Sequence, residues 1–158
     1  MRYWLMKSEP DEFSITDLEN RDQQTEGWDG VRNYQARNFM RDDMAVGDKV
    51  LFYHSNTKVP GVVGIATVSR EGYPDDTAFD PADPHYDPKS DPDKPRWYRV
   101  DVTFERQLDR VIPLAEIKDQ AEALEGLPLV RKGNRLSVMP VDEAHYDFIL
   151  GLEHADNG

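Results

Sequence analysis

The sequence predicts an α+β domain, a small mixed, mostly antiparallel, partly closed β-barrel with helices packed outside. Three observations predict it. Five segments have strand character, four have helical character, and their order, β-α-α-β-β-loop-β-α-β-α, lacks the regular βαβ alternation of a parallel sheet. A length of 158 residues with 38% hydrophobic content suits one domain with a sizeable core. Residues 1–152 are read as that domain and 153–158 as a C-terminal tail.

The first strand is "RYWLM", residues 2–6, a short apolar run that places Trp4 in the core. Pro10 then pushes Glu9 out of helical geometry. "FSITDLEN" opens a helix: Ser14 can cap, Asp17 is the third helical residue, and Phe13 and Leu18 have staple spacing. "WDGV" is turn-like, and "NYQARNFMRD" suits a short helix from Asn33. A Gly47-Asp48 turn leads to a strand from Lys49 to His54. "VVGIATVSRE" is a further strand, with Gly61 and Gly64 allowing a bulge or close backbone approach.

Residues 74–95 hold six of the eleven prolines and seven aspartates. Asp-Pro steps favour turns and extended chain, so this is a long irregular loop, either a binding loop or a solvated insert. Phe79 and Tyr86 favour the packed alternative. After it "RWYRVDVTFER" alternates, with Tyr98, Val100, Val102 and Phe104 on one face and Trp97, Arg99, Asp101 and Thr103 on the other. "IPLAEIKDQAEALEG" reads as an amphipathic helix with Leu114, Ile117, Ala121 and Leu124 inward and Gly126 at its end. "NRLSVMPV" is the last strand. "DEAHYDFILGL" is the last helix, capped by Asp142, with Tyr146, Ile149 and Leu150 inward and His145 at the surface.

The charge excludes some functions. With 31 acids against 19 bases and a formal net charge of -12, the chain is unsuited to a long non-specific grip on nucleic acid. It has no cysteine, hence no disulfide, thiol nucleophile or cysteine-held metal. No 18-residue apolar run suggests a membrane span, and "MRYWLMKSEP" does not read as a signal peptide, so a cytoplasmic monomer is expected. The histidines are scattered without metal spacing, and no phosphate loop or nucleophile motif occurs. No cofactor and no metal are expected.

One stretch departs from the acidic average. "GWDGVRNYQARNFMR", residues 27–41, carries three arginines and a single acid. Trp28 in its Gly-bounded turn caps the core or offers a flat face to a flat ligand. Trp97, on the polar face of its strand, needs a covering element or a ligand. Amide and hydroxyl groups near such faces match the edge of a nucleobase, since an amide both donates and accepts. Aromatic faces with such groups between them form a pocket for an unstacked base. Arg32, Arg37 and Arg41 supply phosphate contacts or pair with nearby acids.

The motifs "YWLMKSEP", "GVRNYQARNFMR", "LFYHSN", "YPDDTAFDP", "YDPKSD" and "RLSVMPV", in this order from residue 2 to about 152, resemble those of EVE domains. The resemblance implies a PUA-like fold related to the YTH readers of methylated RNA adenine, and a role in reading modified bases. It implies a pocket drawn from Lys7 and Ser8, from Trp28, Val31, Arg32 and Asn33, from His54, Ser55 and Asn56, from Trp97, and from Arg135 and Ser137. Trp28 and Trp97 would stack, Asn33 and Ser55 would read the base edge, and Lys7 and Arg32 would supply charge. The expectation is a non-catalytic module that takes a modified base of DNA or RNA, flipped or single-stranded. The alternatives are a binder of free nucleosides, or an enzyme using Asp29, His54 or Asp80.

Overall fold

The computed structural model describes residues 1–154. Ten regular elements follow in chain order: β1 (Tyr3–Ser8), α1 (Ile15–Glu19), β2 (Thr25–Gly27), α2 (Tyr34–Asn38), β3 (Lys49–His54), β4 (Gly61–Pro74), β5 (Tyr98–Pro113), α3 (Leu114–Asp119), β6 (Val138–Val141) and α4 (Glu143–Gly151). The strands form one six-stranded sheet in the order β2-β5-β4-β3-β1-β6. All neighbours are antiparallel except β1 and β3, which run parallel with Ser8 beside His54.

The fold is α+β as expected, but the sheet is open. Its edges are β2 and β6, three and four residues long, and they do not pair with each other. Closure is unnecessary because helices cover both faces. Alternate residues of the central strands feed two separate cores. Trp4, Met6, Val50 and Phe52 pack with Ile15, Leu18, Ala36 and Met40 of the α1–α2 side. Leu5, Leu51 and Tyr53 pack with Ile117, Leu124, Tyr146 and Ile149 of the α3–α4 side. A strand buried on both faces reads as a continuous apolar run, which is what "WLM" is. The short β2 carries no such signal, and only its ladder to β5 defines it.

Local chemistry sets the helix starts. Ser14 caps α1 in a reciprocal capping box with Asp17. Asn33 caps α2 by accepting from Ala36 N at 2.9 Å, and α2 then widens into a π turn at Phe39–Asp43. Two other expectations need correction. The α3 helix ends at Asp119, so Ala121 lies in the following turn and is exposed. His145 is buried against the second core, and Asp142 precedes α4 without a side-chain cap bond. Glu153, assigned to the tail, is also buried: it accepts from Arg106 at 2.8 and 2.9 Å and from Asp109 N at 2.6 Å. The rest of the tail, residues 155–158, lies outside the described residues.

The long β4–β5 pair bends through four register shifts, and glycine permits the close approaches. A Cβ on Gly61 would lie 2.2 Å from the Ile112 carbonyl oxygen, and one on Gly64 would lie 2.6 Å from Ile15 Cδ1. Gly61→Ala is therefore expected to destabilise the domain by about 1–3 kcal/mol through overpacking against rigid backbone. Thermal unfolding should show Tm lowered by about 3–10 °C; an unchanged Tm would mean that β4 and β5 are less closely apposed.

Candidate base-binding pocket

A pocket of about 680 Å³ opens at one end of the sheet. It lies where the C-terminal ends of β1 and β3 meet the chain entering β6. Lys7 N donates to Ser137 O at 2.8 Å, and Ser55 N donates to Ser8 O at 2.9 Å, which ties these three segments together. Ser8 Oγ donates to Phe13 O at 2.6 Å and sets the Phe13 ring at the pocket wall.

The adjoining wall is the "GWDG" turn. Trp28 N donates to Val100 O at 2.7 Å, extending the β2–β5 ladder by one residue. The indole is 7% exposed and meets Phe13 and Phe52 edge-on, at centroid distances of 6.3 and 5.3 Å. It thus belongs to the core and also lines the pocket, the two roles left open above. Gly30 has φ +74°, and a Cβ there would lie 2.5 Å from His85 Nε2. The positive φ favours glycine at this position, and a Cβ would displace the His85 ring.

The Asp-Pro loop forms the third wall and is built of successive turns. The carboxylates of Asp80, Asp83, Asp87 and Asp91 each accept from the backbone N two residues on, at 2.8–3.0 Å. Backbone bonds close Asp80–Asp83, Asp83–Tyr86, Asp87–Ser90 and Asp91–Lys94. In each unit proline follows the aspartate and presets the turn, and the carboxylate supplies the side-chain bond. The segment expected to be irregular is therefore a chain of Asp-Pro turns.

A single buried carboxylate fastens that loop to the pocket. Asp75 is fully buried; its Oδ2 accepts from Gly30 N at 2.9 Å and Arg32 Nη1 at 3.0 Å, and its Oδ1 accepts from Thr77 N and Oγ1. Burial alone would raise its pKa, but the bonds from Thr77, Gly30 and Arg32 outweigh this and hold it below the usual range. Arg32 also donates twice to His85 O, to Val31 O and to Thr77 Oγ1, and its guanidinium lies over the Trp97 ring.

Eight of the twelve expected site residues line this pocket: Lys7, Ser8, Trp28, Val31, Arg32, Ser55, Arg135 and Ser137. The other four do not. Asn33 spends its amide oxygen as the α2 cap. His54 Nε2 accepts from Ile15 N at 3.1 Å, with its pKa lowered by burial, and so holds α1 behind the wall. Asn56, at φ +51°, donates to Glu9 at 3.1 Å. Trp97 is 6% exposed beneath the loop, its Nε1 donating to Asp87 at 2.6 Å and its ring stacked on Tyr34 at 4.9 Å. The loop is the covering element that Trp97 required, and the expected Trp28–Trp97 sandwich is absent.

The arginines of residues 27–41 are likewise spent within the chain. Arg32 is committed as above; Arg37 donates to Arg96 O and Asn38, and Arg41 is bidentate to Asp42. The pocket gains residues that had no signal in the sequence. Phe13 and Leu136 add apolar surface, His85 and Pro84 come from the loop, and Glu9, Glu12 and Glu26 join Asp29, already a candidate, as lining acids. The Asp29 pKa is raised, first by burial and then by the charge of Asp75. The Lys7 pKa is lowered, first by burial and then by Lys118. The potential enzyme residues are thereby separated: Asp29 faces the pocket, and His54 and Asp80 do not line it. Among the described residues, Asp109, Glu153 and His154 have the composition of a metal site, but the Glu153 carboxylate is already held by Arg106 and Asp109 N.

The EVE domain profile matches residues 2–152. The chain belongs to the EVE domain family. Among EVE relatives, mouse thymocyte nuclear protein 1 is 48% identical over 169 aligned positions, which cover 98% of this chain and 74% of the relative. A solved EVE structure of human THYN1 in complex with 5-methylcytosine-containing DNA superposes with TM-score 0.91 at 46% identity, covering 99% of each chain. A Pseudomonas syringae protein superposes with TM-score 0.91 at 50% identity, covering 96% of this chain and 99% of that one.

Replacing Asp75 tests what fastens this wall. An amide cannot accept on both sides, so Asp75→Asn should leave Arg32 or Thr77 unpaired and cost about 3 kcal/mol at neutral pH. Because folding lowers the Asp75 pKa, its stabilisation is present above the unfolded carboxylate value near 3.8 and is lost as pH falls through the folded value. Urea unfolding across the acid range should therefore show a flatter pH dependence in the variant. Equal stability at neutral pH would mean that the loop is held elsewhere.

Proposed function

We propose that this EVE domain is a non-catalytic binding module that takes one modified nucleic-acid base, flipped or single-stranded, against Trp28. The observation that carries the reading is a pocket with an aromatic wall and polar groups not spent within the chain. Its volume falls in the range of about 300–1,000 Å³ typical of small-ligand sites. Trp28 offers a stacking face, and Phe13, Val31 and Leu136 supply apolar surface for a methyl group. The hydroxyls of Ser55 and Ser137 form no side-chain hydrogen bond among the described residues, and the Lys7 ammonium, which lies over the Tyr53 ring, has no carboxylate partner among them. Asp29, whose carboxylate lies 4.0 Å from Arg99 Nη1, retains acceptor capacity for an exocyclic amine, the contact a carboxylate makes with cytosine. The human relative bound to 5-methylcytosine-containing DNA supports this choice and makes such DNA the first ligand to test.

The free-nucleoside alternative uses the same pocket without backbone contacts. A catalytic alternative would depend on Asp29, whose raised pKa suits a proton-transfer group. Prolonged incubation with 5-methylcytosine DNA, followed by nucleoside analysis, separates these readings: a binding module returns the base unchanged.

Trp28→Leu keeps an apolar side chain in the core but removes the aromatic face. It is expected to weaken binding of a 5-methylcytosine oligonucleotide by about 5–150-fold, the range for loss of one stacking contact of about 1–3 kcal/mol. Ser55→Leu, which fills the mouth without touching the core, should do the same. Calorimetric titration reads both; wild-type affinity in both variants would place the ligand elsewhere.

A further inference from the structure

The acidic surface leaves one question for any nucleic-acid ligand: where its phosphates lie. The arginines closest in sequence to Trp28 are committed within the chain, and the pocket lining includes the acids Glu9, Glu12, Glu26 and Asp29. Among the lining cations, Arg21 pairs with Glu26 at 2.7 Å and Arg32 with Asp75 at 3.0 Å. Lys7 and Arg135 have no carboxylate partner among the described residues.

Arg135 lies in, and Lys7 is bonded through its backbone N to, a segment that concentrates cations. From Gly126 to Val141 there is no acid, while Arg131, Lys132 and Arg135 fall within five residues. These five form a tight turn. Asn134 N donates to Arg131 O at 3.2 Å, Gly133 takes φ +79°, and Leu136 N donates to Asn134 Oδ1 at 3.3 Å. The turn holds the three cations at the surface, all exposed and none in an ion pair among the described residues. Its C-terminal end, Arg135–Ser137, lines the pocket beside Lys7, whose backbone N donates to Ser137 O at 2.8 Å.

We propose that the 131–135 turn, with Lys7 at its side, is the track for the phosphodiester backbone flanking the bound base. The nucleic acid then meets the protein along this one rim, and the acidic remainder repels the strand from other approaches. The assignment rests on the base pocket described under the proposed function and adds the direction from which the strand reaches it. It also transfers the phosphate role from Arg32, Arg37 and Arg41 to cations that have no carboxylate partner among the described residues.

The test compares Arg131→Gln/Lys132→Gln with a charge-matched control, Arg2→Gln/Arg41→Gln. Neither Arg131 nor Lys132 lines the pocket. Binding of a 5-methylcytosine oligonucleotide is titrated at several salt concentrations, and binding of free 5-methyldeoxycytidine at one. Each lost phosphate contact should reduce the slope of log affinity against log salt by about 0.7–0.9. The expected result is a slope shallower by about 0.7–1.8 in the turn variant, an unchanged slope in the control, and unchanged nucleoside affinity in both. An unchanged slope in the turn variant, or an equal loss in the control, overturns the track. Retained nucleoside binding in that case leaves the base pocket standing. Loss of nucleoside binding in Trp28→Leu supports the pocket that the track serves, whereas full oligonucleotide and nucleoside binding by that variant removes the pocket and the track together.

Discussion

The Asp75 carboxylate is the constraint on which the pocket depends. It is fully buried and holds three separate parts of the chain: the turn after Trp28 through Gly30 N, the guanidinium of Arg32, and the start of its own loop through Thr77. Arg32 carries the connection onward to His85 O, midway along the loop. A charge so deeply buried is tolerable only when its lone pairs are filled, and here four donors fill them. With that connection in place, Trp28 has a fixed wall behind it and His85 a fixed position beside Gly30. Without it, residues 76–96 would rely on contacts such as Asp87 to Trp97, Arg96 O to Arg37 and Asp76 to Arg99.

The charge pattern follows from the same economy. Arginine is suited to multidentate pairing inside a protein, because its planar donors satisfy several acceptors at once. The basic segment around Trp28 is used in this way, organising the loop and α2. Three cations without an ion pair among the described residues cluster instead in the 131–135 turn, where no acid occurs nearby in sequence. An acidic protein can in this way keep a local cationic rim while its overall charge resists non-specific association.

Several features are legible in the sequence because they have local causes. The Ser14–Asp17 capping box, the Asn33 cap and the glycines at close strand contacts depend on neighbours within a few residues, or on the absence of a Cβ. The Asp-Pro turns are also local, although their repetition reads as irregularity until each aspartate is paired with the amide two residues on. Other features depend on tertiary partners. The open sheet was hidden because three-residue β2 has no periodicity, and the two-sided burial of β1 is only implied by its apolar run. His85 had no signal, because its position is set by Arg32 and Gly30 from a distant segment. Trp97 and Arg32 were correctly singled out as unusual, but their demands are met by the loop and Asp75 rather than by a ligand.

The central claim is that one base rests against Trp28 in a pocket whose wall Asp75 secures. Nuclear Overhauser contacts between an isotope-labelled 5-methylcytosine in an oligonucleotide and the protein test it most directly. The account predicts contacts from the base to the Trp28 ring and to Leu136 and Ser137, with the Trp97 indole signal unmoved beneath its loop. Contacts to Tyr34 and Trp97, with Trp28 unperturbed, would contradict it.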